Sequence, residues 1–327
     1  MDKVTIMDVA NEVGVSKTTI SRYLNGHFDR INAHTREKIK QAIDEMGYVP
    51  NQQARTLKAK HSHLIGLVVA DMANLYSSFL IRGIQNVLRE HDYSLLIVDS
   101  ANSLTNEKKA LTQLMASNVD GIILQPLSVN SQDYQFLVES NTNVVLVDRQ
   151  TRPTVWSSVT ADNFSASREM ALALAKQKYQ RIIFISLASD SSTTHALRYE
   201  GLQKVAQQKS MLLDALEVTD NDLTDLDRLL KATPHTKTAL FAVNGQLLIA
   251  CLQWLQEHHY VIPNDIGITG YDDSELGAVL SPGISTIDQN PQEIGQATAR
   301  LLFEYIGGKR GHEDAEVASK LTLRHSF

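Results

Sequence analysis

The chain predicts an all-α helix-turn-helix head joined to an α/β core of two doubly wound lobes. Three observations carry that reading. The first 26 residues place apolar side chains at helical spacing on either side of a glycine break. Charge divides along the chain, with 10 Lys or Arg against 7 Asp or Glu in residues 1–60 and 21 against 30 in the remainder. From Leu64 onward, continuous apolar runs alternate with amphipathic stretches, the pattern of parallel strands covered on both faces by helices. A chain of 327 residues, 43% hydrophobic, is long and apolar enough for two or three packed domains.

The head comes first. In MDKVTIMDVANEVGVSKTTISRYLNG, Ile6, Val9, Ala10 and Val13 line one face of a helix over Ile6–Val13. Gly14 and Val15 break it, and Ser16 can cap a second helix over Lys17–Leu24. A third is expected over Thr35–Met46, with Asn32 as its cap. Two short helices across a glycine turn form a helix-turn-helix, whose second helix enters the major groove. Its outward face offers Lys17, Thr18, Ser21 and Arg22, side chains that reach base edges and phosphates. A basic head on an acidic body fits a tethered DNA-binding module, although the whole chain carries a net charge of −6. Gly47-Tyr48-Val49-Pro50 then breaks the chain, and Asn51 can cap a short helix running through Lys58. So short a helix is not stable alone. Leu57 beside Arg55 and Lys58 suits an apolar wedge for the minor groove. The alternative is a linker helix with Leu57 tucked on the core.

In the core, the runs LIGLVVA, SLLIVD, GIILQ, VVLVD, RIIFIS, ALFAV and IGITGY predict strands. Leu80–Leu88 and Ala110–Met115 lie in helical segments between them. So many strands call for two similar lobes. Polar residues follow directly on the strands: Asp71, Gln125, Asp148, Arg149, Asn244 and Asp272. Ligands of open α/β sheets bind outside the carboxyl ends of the strands. Carboxylates and amides suit sugar hydroxyls, and arginine suits a carboxylate or phosphate. The set points to a sugar or sugar acid. Each residue also has a structural reading as the cap of the next helix.

The strings VTIMDVANEVGVSKTTISRYLNG, TREKI, GYVPNQQARTLKAK, LIGLVVAD and the closing KLTLRHS resemble the LacI/GalR family of transcription regulators, in order and over essentially the whole chain. The resemblance implies a DNA-binding domain over 1–60 with a hinge helix at about 51–59. It also implies a core over 61–327, similar to type I periplasmic binding proteins, that binds the effector and dimerises. Lobe one would comprise about 62–160 and 290–318, and lobe two about 161–289 and 319–327. The expected partners are operator DNA with an inverted repeat, a sugar or sugar-acid effector and a second copy of the chain. Thr5, Ser16, Lys17, Thr18, Thr19, Ser21, Arg22 and Asn25 would contact DNA. On the hinge, Ala54 would face the dimer mate, Leu57 would enter the minor groove and Lys58 would lie near the central bases. Arg198 in HALRYEG, Asp272 in GYDD, Asn244 and Asp148 match effector-contacting positions. Gly245 stands where the family commonly has Asp, which removes any contact that Asp would make. The loop HFDRINAH is longer than usual and is similar to the branch that regulates 2-keto-3-deoxygluconate and related sugar-acid catabolism.

Other classes find little support. One cysteine, Cys251 in the apolar run IACLQWL, offers no disulfide framework and fits a core position in a reducing cytosol. The N-terminal residues lack the apolar stretch of a secretory signal, and no run of 18 apolar residues occurs, so a cytoplasmic location is expected. The 11 histidines show no metal-ligand grouping: His258 and His259 are adjacent, and His61 and His63 flank the hinge. Asp220, Asp222, Asp225 and Asp227 lack the glycine and glutamate of a calcium loop and suit a solvated helix start. Neither G-x-S-x-G nor a phosphate loop is present, and no cofactor is expected. The alternatives are a cytosolic solute-binding protein and a sugar-processing enzyme. The basic head argues against the first, and the lack of a nucleophile–base pair against the second.

Overall fold

A computed structural model describes residues 4–24, 26–48, 61–187, 192–219, 221–272 and 275–327, with only the backbone at 275 and 276. The described chain falls into two units, Met1–Ser62 and His63–Phe327. In the first unit, α1 (Ile6–Val13) starts on a reciprocal cap. The Thr5 hydroxyl accepts from Asp8 N, and the Asp8 carboxylate accepts from Thr5 N at 2.8 Å. Gly14 ends the helix with φ of 73°, a left-handed conformation that glycine adopts without a Cβ penalty. Ser16 caps α2 (Lys17–Leu24) by accepting from Thr19 N at 3.2 Å. The third helix, α3, spans Ala33–Met46, two residues earlier than the sequence suggested. Asn32 is its cap as expected, but it accepts from Thr35 N, so Thr35 is the third helical residue and not the first. Val9, Ala10, Ile20, Ile31, Ile39 and Tyr48 bury their side chains between the three helices.

The second unit alternates strands and helices. The first sheet is built from β1 (Leu64–Val69), α4 (Leu75–Glu90), β2 (Ser94–Asp99), α5 (Leu104–Ala116), β3 (Gly121–Leu124), a 3-10 turn at Ser131–Tyr134, α6 (Gln135–Glu139), β4 (Val144–Val147) and β5 (Ser158–Ala161). The second takes α7 (Asn163–Lys176), β6 (Arg181–Leu187), α8 (Thr193–Lys209), β7 (Leu212–Val218), α9 (Thr224–Ala232), β8 (Thr238–Ala242), α10 (Gly245–Glu257), β9 (Gly267–Tyr271), α11 (Glu275–Val279) and β10 (Ser285–Asp288). The chain then returns through α12 (Pro291–Ile306) and β11 (Asp314–Val317) to the first sheet, and ends in the second with β12 (Lys320–Thr322).

Strand order is β11-β5-β4-β3-β1-β2 in one sheet and β12-β10-β9-β8-β6-β7 in the other. Among the described strands, only β12 pairs antiparallel. Both orders reverse beside the first strand of the sheet, at β1 and at β6. Such reversals open a crevice at the strands' carboxyl ends. The three passages between sheets are stitched together: Ser319 N donates to Asp162 Oδ1 at 2.8 Å, and Asn290 Nδ2 donates to the Ala318 carbonyl at 2.6 Å. Cys251 is buried in the second core, where burial pushes its thiol up to about 12. Among the described residues, no helix is long and apolar enough to cross a membrane.

On the first sheet, α4 and α12 cross backbone to backbone. A Cβ at Gly83 would overlap the Gln292 carbonyl, and one at Gly295 would overlap the Leu80 carbonyl. Gly83→Ala and Gly295→Ala should therefore each destabilise the core by about 1–3 kcal/mol through overpacking. The same change in an uncrowded helix stabilises by about 1 kcal/mol. Denaturant unfolding of both variants checks the sign.

Candidate functional site

The strand ends of the core carry the polar residues to one crevice. After β4 the backbone turns through Asp148 with φ of 66°, and after β9 through Asp272 with φ of 69°. These are left-handed conformations in residues other than glycine, which aspartate tolerates better than most. Each aspartate is held by a glutamine. Gln125 accepts from Ala70 N at 2.9 Å and donates to Asp148 Oδ2 at 2.7 Å. In the second lobe, Gln289 donates to Asp272 Oδ1 and accepts from Arg198 Nη2 at 2.6 Å.

Arg198 forms the floor of the second lobe. It is 2% exposed. Its Nε donates to Asn163 Oδ1 at 2.8 Å, Nη1 donates to the Val243 carbonyl, and the guanidinium lies 3.6 Å from the centre of the Tyr271 ring. An arginine has five N–H groups, so one on each Nη nitrogen lies beyond these three bonds. Burial pushes the Asp272 carboxyl up, and Arg198, Gly245 N and Gln289 pull it back down.

Several expected ligand contacts are also structural. Asn244 caps α10, accepting from Leu247 N at 2.9 Å. Asp272 Oδ2 accepts from Gly245 N at 2.9 Å, so two of the orphan donors at that helix end are satisfied from within the chain. At Gly245 the helix end packs closely on this aspartate: a Cβ there would lie 3.0 Å from the Asp272 Cβ. Asp71 accepts from Ala73 N at 2.8 Å and from Gln246 Nε2 at 2.9 Å, the latter reaching across from the other lobe. Arg149 Nε stands 3.8 Å from Asp148 Oδ2 and also bears on buried Glu107, whose carboxyl burial pushes up.

Residues that the sequence did not single out complete the crevice. Thr194 donates to the Asp148 carbonyl at 2.8 Å, and Thr193 Oγ1 accepts from Gln150 N at 3.0 Å, so two further hydrogen bonds join the lobes. Tyr76, in the first turn of α4, is 5% exposed, and no described residue completes a hydrogen bond with its hydroxyl. It lies at the edge of a cavity of about 900 Å³ lined mostly by α4, α10 and α12, Phe79, Ile249 and Gln296 among them, which reaches Asp272 at its inner end. Gln289 follows STID, which reads too polar for an apolar run. Tyr76 and Thr194 follow strand ends by several residues, beyond the direct strand-end rule.

On the head, Lys17, Thr18 and Arg22 are exposed on α2, and Ser21 is half-buried. Thr5 and Ser16 serve as caps, and the Thr19 hydroxyl lies 2.9 Å from the Ser16 hydroxyl. Asn25, Ala54, Leu57 and Lys58 lie outside the described residues.

A reading head carried by a two-lobed core with a polar crevice defines a DNA-binding regulator. Comparison with known proteins agrees. Residues 5–51 match the family described as bacterial regulatory proteins, lacI family, and residues 171–327 match the periplasmic binding protein-like domain. The HTH-type transcriptional regulator KdgR of Bacillus subtilis (strain 168) is 32% identical over 330 residues, covering 99% of this chain and 97% of that protein. The chain belongs to the lacI family and is a transcriptional regulator, not an enzyme. Its fold is that of the lac repressor dimer bound to operator and the anti-inducer ONPF, with a TM-score of 0.86 at 23% identity over 99% of each chain. It also resembles the transcriptional regulator CelR-cellobiose complex, with a TM-score of 0.73 at 25% identity over 99% of this chain and 100% of that one.

Arg198→Ala should destabilise the core by about 3 kcal/mol or more, because Asn163, Gln289 and Asp272 lose a shared buried partner. The loss should be larger at pH 8 than at pH 5. A carboxyl raised in the folded state binds its proton more tightly than in the unfolded chain, so its contribution to stability falls as pH rises above the ordinary carboxylate value. Without Arg198 that rise in Asp272 grows. Calorimetric unfolding across this pH range measures both effects.

Proposed function

We propose that the chain is a dimeric, cytoplasmic repressor whose operator affinity is set by a sugar or sugar-acid effector held between the lobes. One observation carries the effector reading: Asp148 and Asp272, from opposite sheets, meet one crevice, each oriented by a glutamine. Carboxylates held in this way accept from sugar hydroxyls. Arg149 and Arg198 supply the positive charge that a sugar acid needs. The loop HFDRINAH and the relation to KdgR support the sugar-acid branch. The CelR structure, a cellobiose complex, shows that a relative takes a sugar.

Lys17 and Thr18 read bases, and Arg22 contacts a base or a phosphate. Thr5, Ser16, Thr19, Ser21 and Asn25 position the head on the backbone, while Ala54, Leu57 and Lys58 form the hinge contacts. One short recognition helix reads only a few base pairs, so a twofold dimer should need two half-sites about one helical turn apart. Selection of binding sites from random DNA should return an inverted repeat, and the Lys17→Ala, Thr18→Ala double variant should return a changed half-site. An unchanged half-site would remove these residues from the readers.

The dimer reading rests on an apolar face shared by α4 and α10. Phe79 and Ile249 are each 46% exposed there, beside Leu75 and Leu280, more than scattered surface apolars require. A second copy covers this face. Phe79→Glu should shift the protein from dimer to monomer in sedimentation equilibrium and weaken operator binding, with the fold retained by circular dichroism. A dimer of unchanged stability would place the interface elsewhere.

A further inference from the structure

We infer that Asp120 and Tyr93 are positioning residues for operator recognition: they clamp His63, where the chain enters the core, and so fix the direction in which the chain runs from the core to the head. The inference rests on the reading of the chain as a dimer on an inverted repeat.

His63 opens the second unit, immediately before β1. Its φ is 57°, a left-handed conformation that a residue with a Cβ adopts at a cost. Such strain persists only where the surroundings hold it. Three contacts hold it here. The backbone N–H donates to Asp120 Oδ2 at 3.0 Å, the carbonyl accepts from Ser94 N at 2.9 Å, and the imidazole packs on the Tyr93 ring with centroids 4.8 Å apart. The Tyr93 hydroxyl donates to the same Asp120 carboxylate, and the Tyr93 ring meets Phe303 of α12 edge-on, with centroids 5.0 Å apart. His63 is itself exposed, so filling the core does not explain the arrangement.

The clamp sits at the end of the first sheet opposite the crevice. His63, Tyr93 and Asp120 immediately precede β1, β2 and β3, which are neighbouring parallel strands. Side chains of the β3 segment thus hold β1 at both ends. Asp120 takes the N–H of His63 before the strand, and Gln125 takes the N–H of Ala70 after it. Gln125 is also the residue that orients Asp148. The crevice end and the junction end of this strand pair are therefore tied into one piece. A junction residue left free would add two soft dihedrals to the path toward the head, and two heads on a dimer would lose a fixed separation. The operator demands a fixed one. One base pair added between half-sites turns one against the other by about 35° and moves it by about 3.4 Å.

Two loosened variants of the full-length protein test this. Asp120→Ala removes the acceptor shared by His63 and Tyr93. His63→Gly removes the ring contact and lets the backbone rotate, while glycine still suits the left-handed conformation. Binding is read by fluorescence anisotropy on three duplexes: the selected inverted repeat, the same repeat with one central base pair added, and a single half-site. Wild type should prefer the selected spacing over the added one by about tenfold or more. In both loosened variants that preference should fall to about threefold or less, with single half-site affinity unchanged because the head is intact. Asp120→Asn, whose amide oxygen still accepts from His63 N, should keep the wild-type preference; a loss as large as in Asp120→Ala would overturn the proposal. Undiminished spacing preference in the loosened variants overturns it as well, and so does an equal loss on the single half-site, which marks general damage. If Asp120→Ala fails to fold, His63→Gly decides alone. If wild type shows no spacing preference, the dimeric-operator reading falls and the inference falls with it.

Discussion

Arg198 fixes the geometry on which the crevice depends. Its guanidinium bonds Asn163 at the start of α7, the carbonyl of Val243 at the end of β8 and Gln289 beyond β10, while stacking on Tyr271 at the end of β9. One buried cation thus gathers the carboxyl ends of neighbouring strands and the first turn of a helix. Gln289, oriented by Arg198, in turn orients Asp272. A buried charge is tolerated only where such bonds surround it. The cost of its burial therefore makes the arrangement sensitive to any change in the crevice.

The first lobe solves the same problem without a buried arginine. Gln125 reads the backbone N–H of Ala70 and turns its amide to Asp148. In both lobes an aspartate in a left-handed turn is presented by a glutamine. The lobes then meet through Gln246 and Asp71 on one side and through Thr193 and Thr194 on the other. A ligand entering between them must exchange its own hydrogen bonds for some of these. It can shift the lobe angle only by its differential affinity for the two arrangements.

The head's first two helices and seven of the core strands were legible because their apolar residues recur with clear period or in unbroken runs. Ser158–Ala161, Leu212–Val218, Ser285–Asp288 and Asp314–Val317 escaped for a physical reason. Leu212–Val218 and Asp314–Val317 are outer strands, half solvated, and alternate polar with apolar residues. Ser158–Ala161 and Ser285–Asp288 are buried but short and hydroxyl-rich. The strand-end rule found Asp71, Gln125, Asp148, Arg149, Asn244 and Asp272. It could not say which serve as caps, because a cap and a ligand contact use the same side chain at the same position. Asn244 and Asp71 both hold backbone N–H groups here. The Arg198 match came from family resemblance, and no local pattern around HALRYEG indicates that its fork faces Asn163, Val243 and Gln289.

The central claim is that the crevice and the DNA head share one equilibrium. Thermodynamic linkage makes that claim reciprocal: if an effector changes operator affinity by some factor, operator DNA must change effector affinity by the same factor. The direct measurement is effector affinity by calorimetry, for the free protein and for the protein saturated with its selected inverted repeat. The account predicts two different affinities whose ratio equals the effector-induced change in operator affinity. Equal effector affinity with and without operator would contradict it.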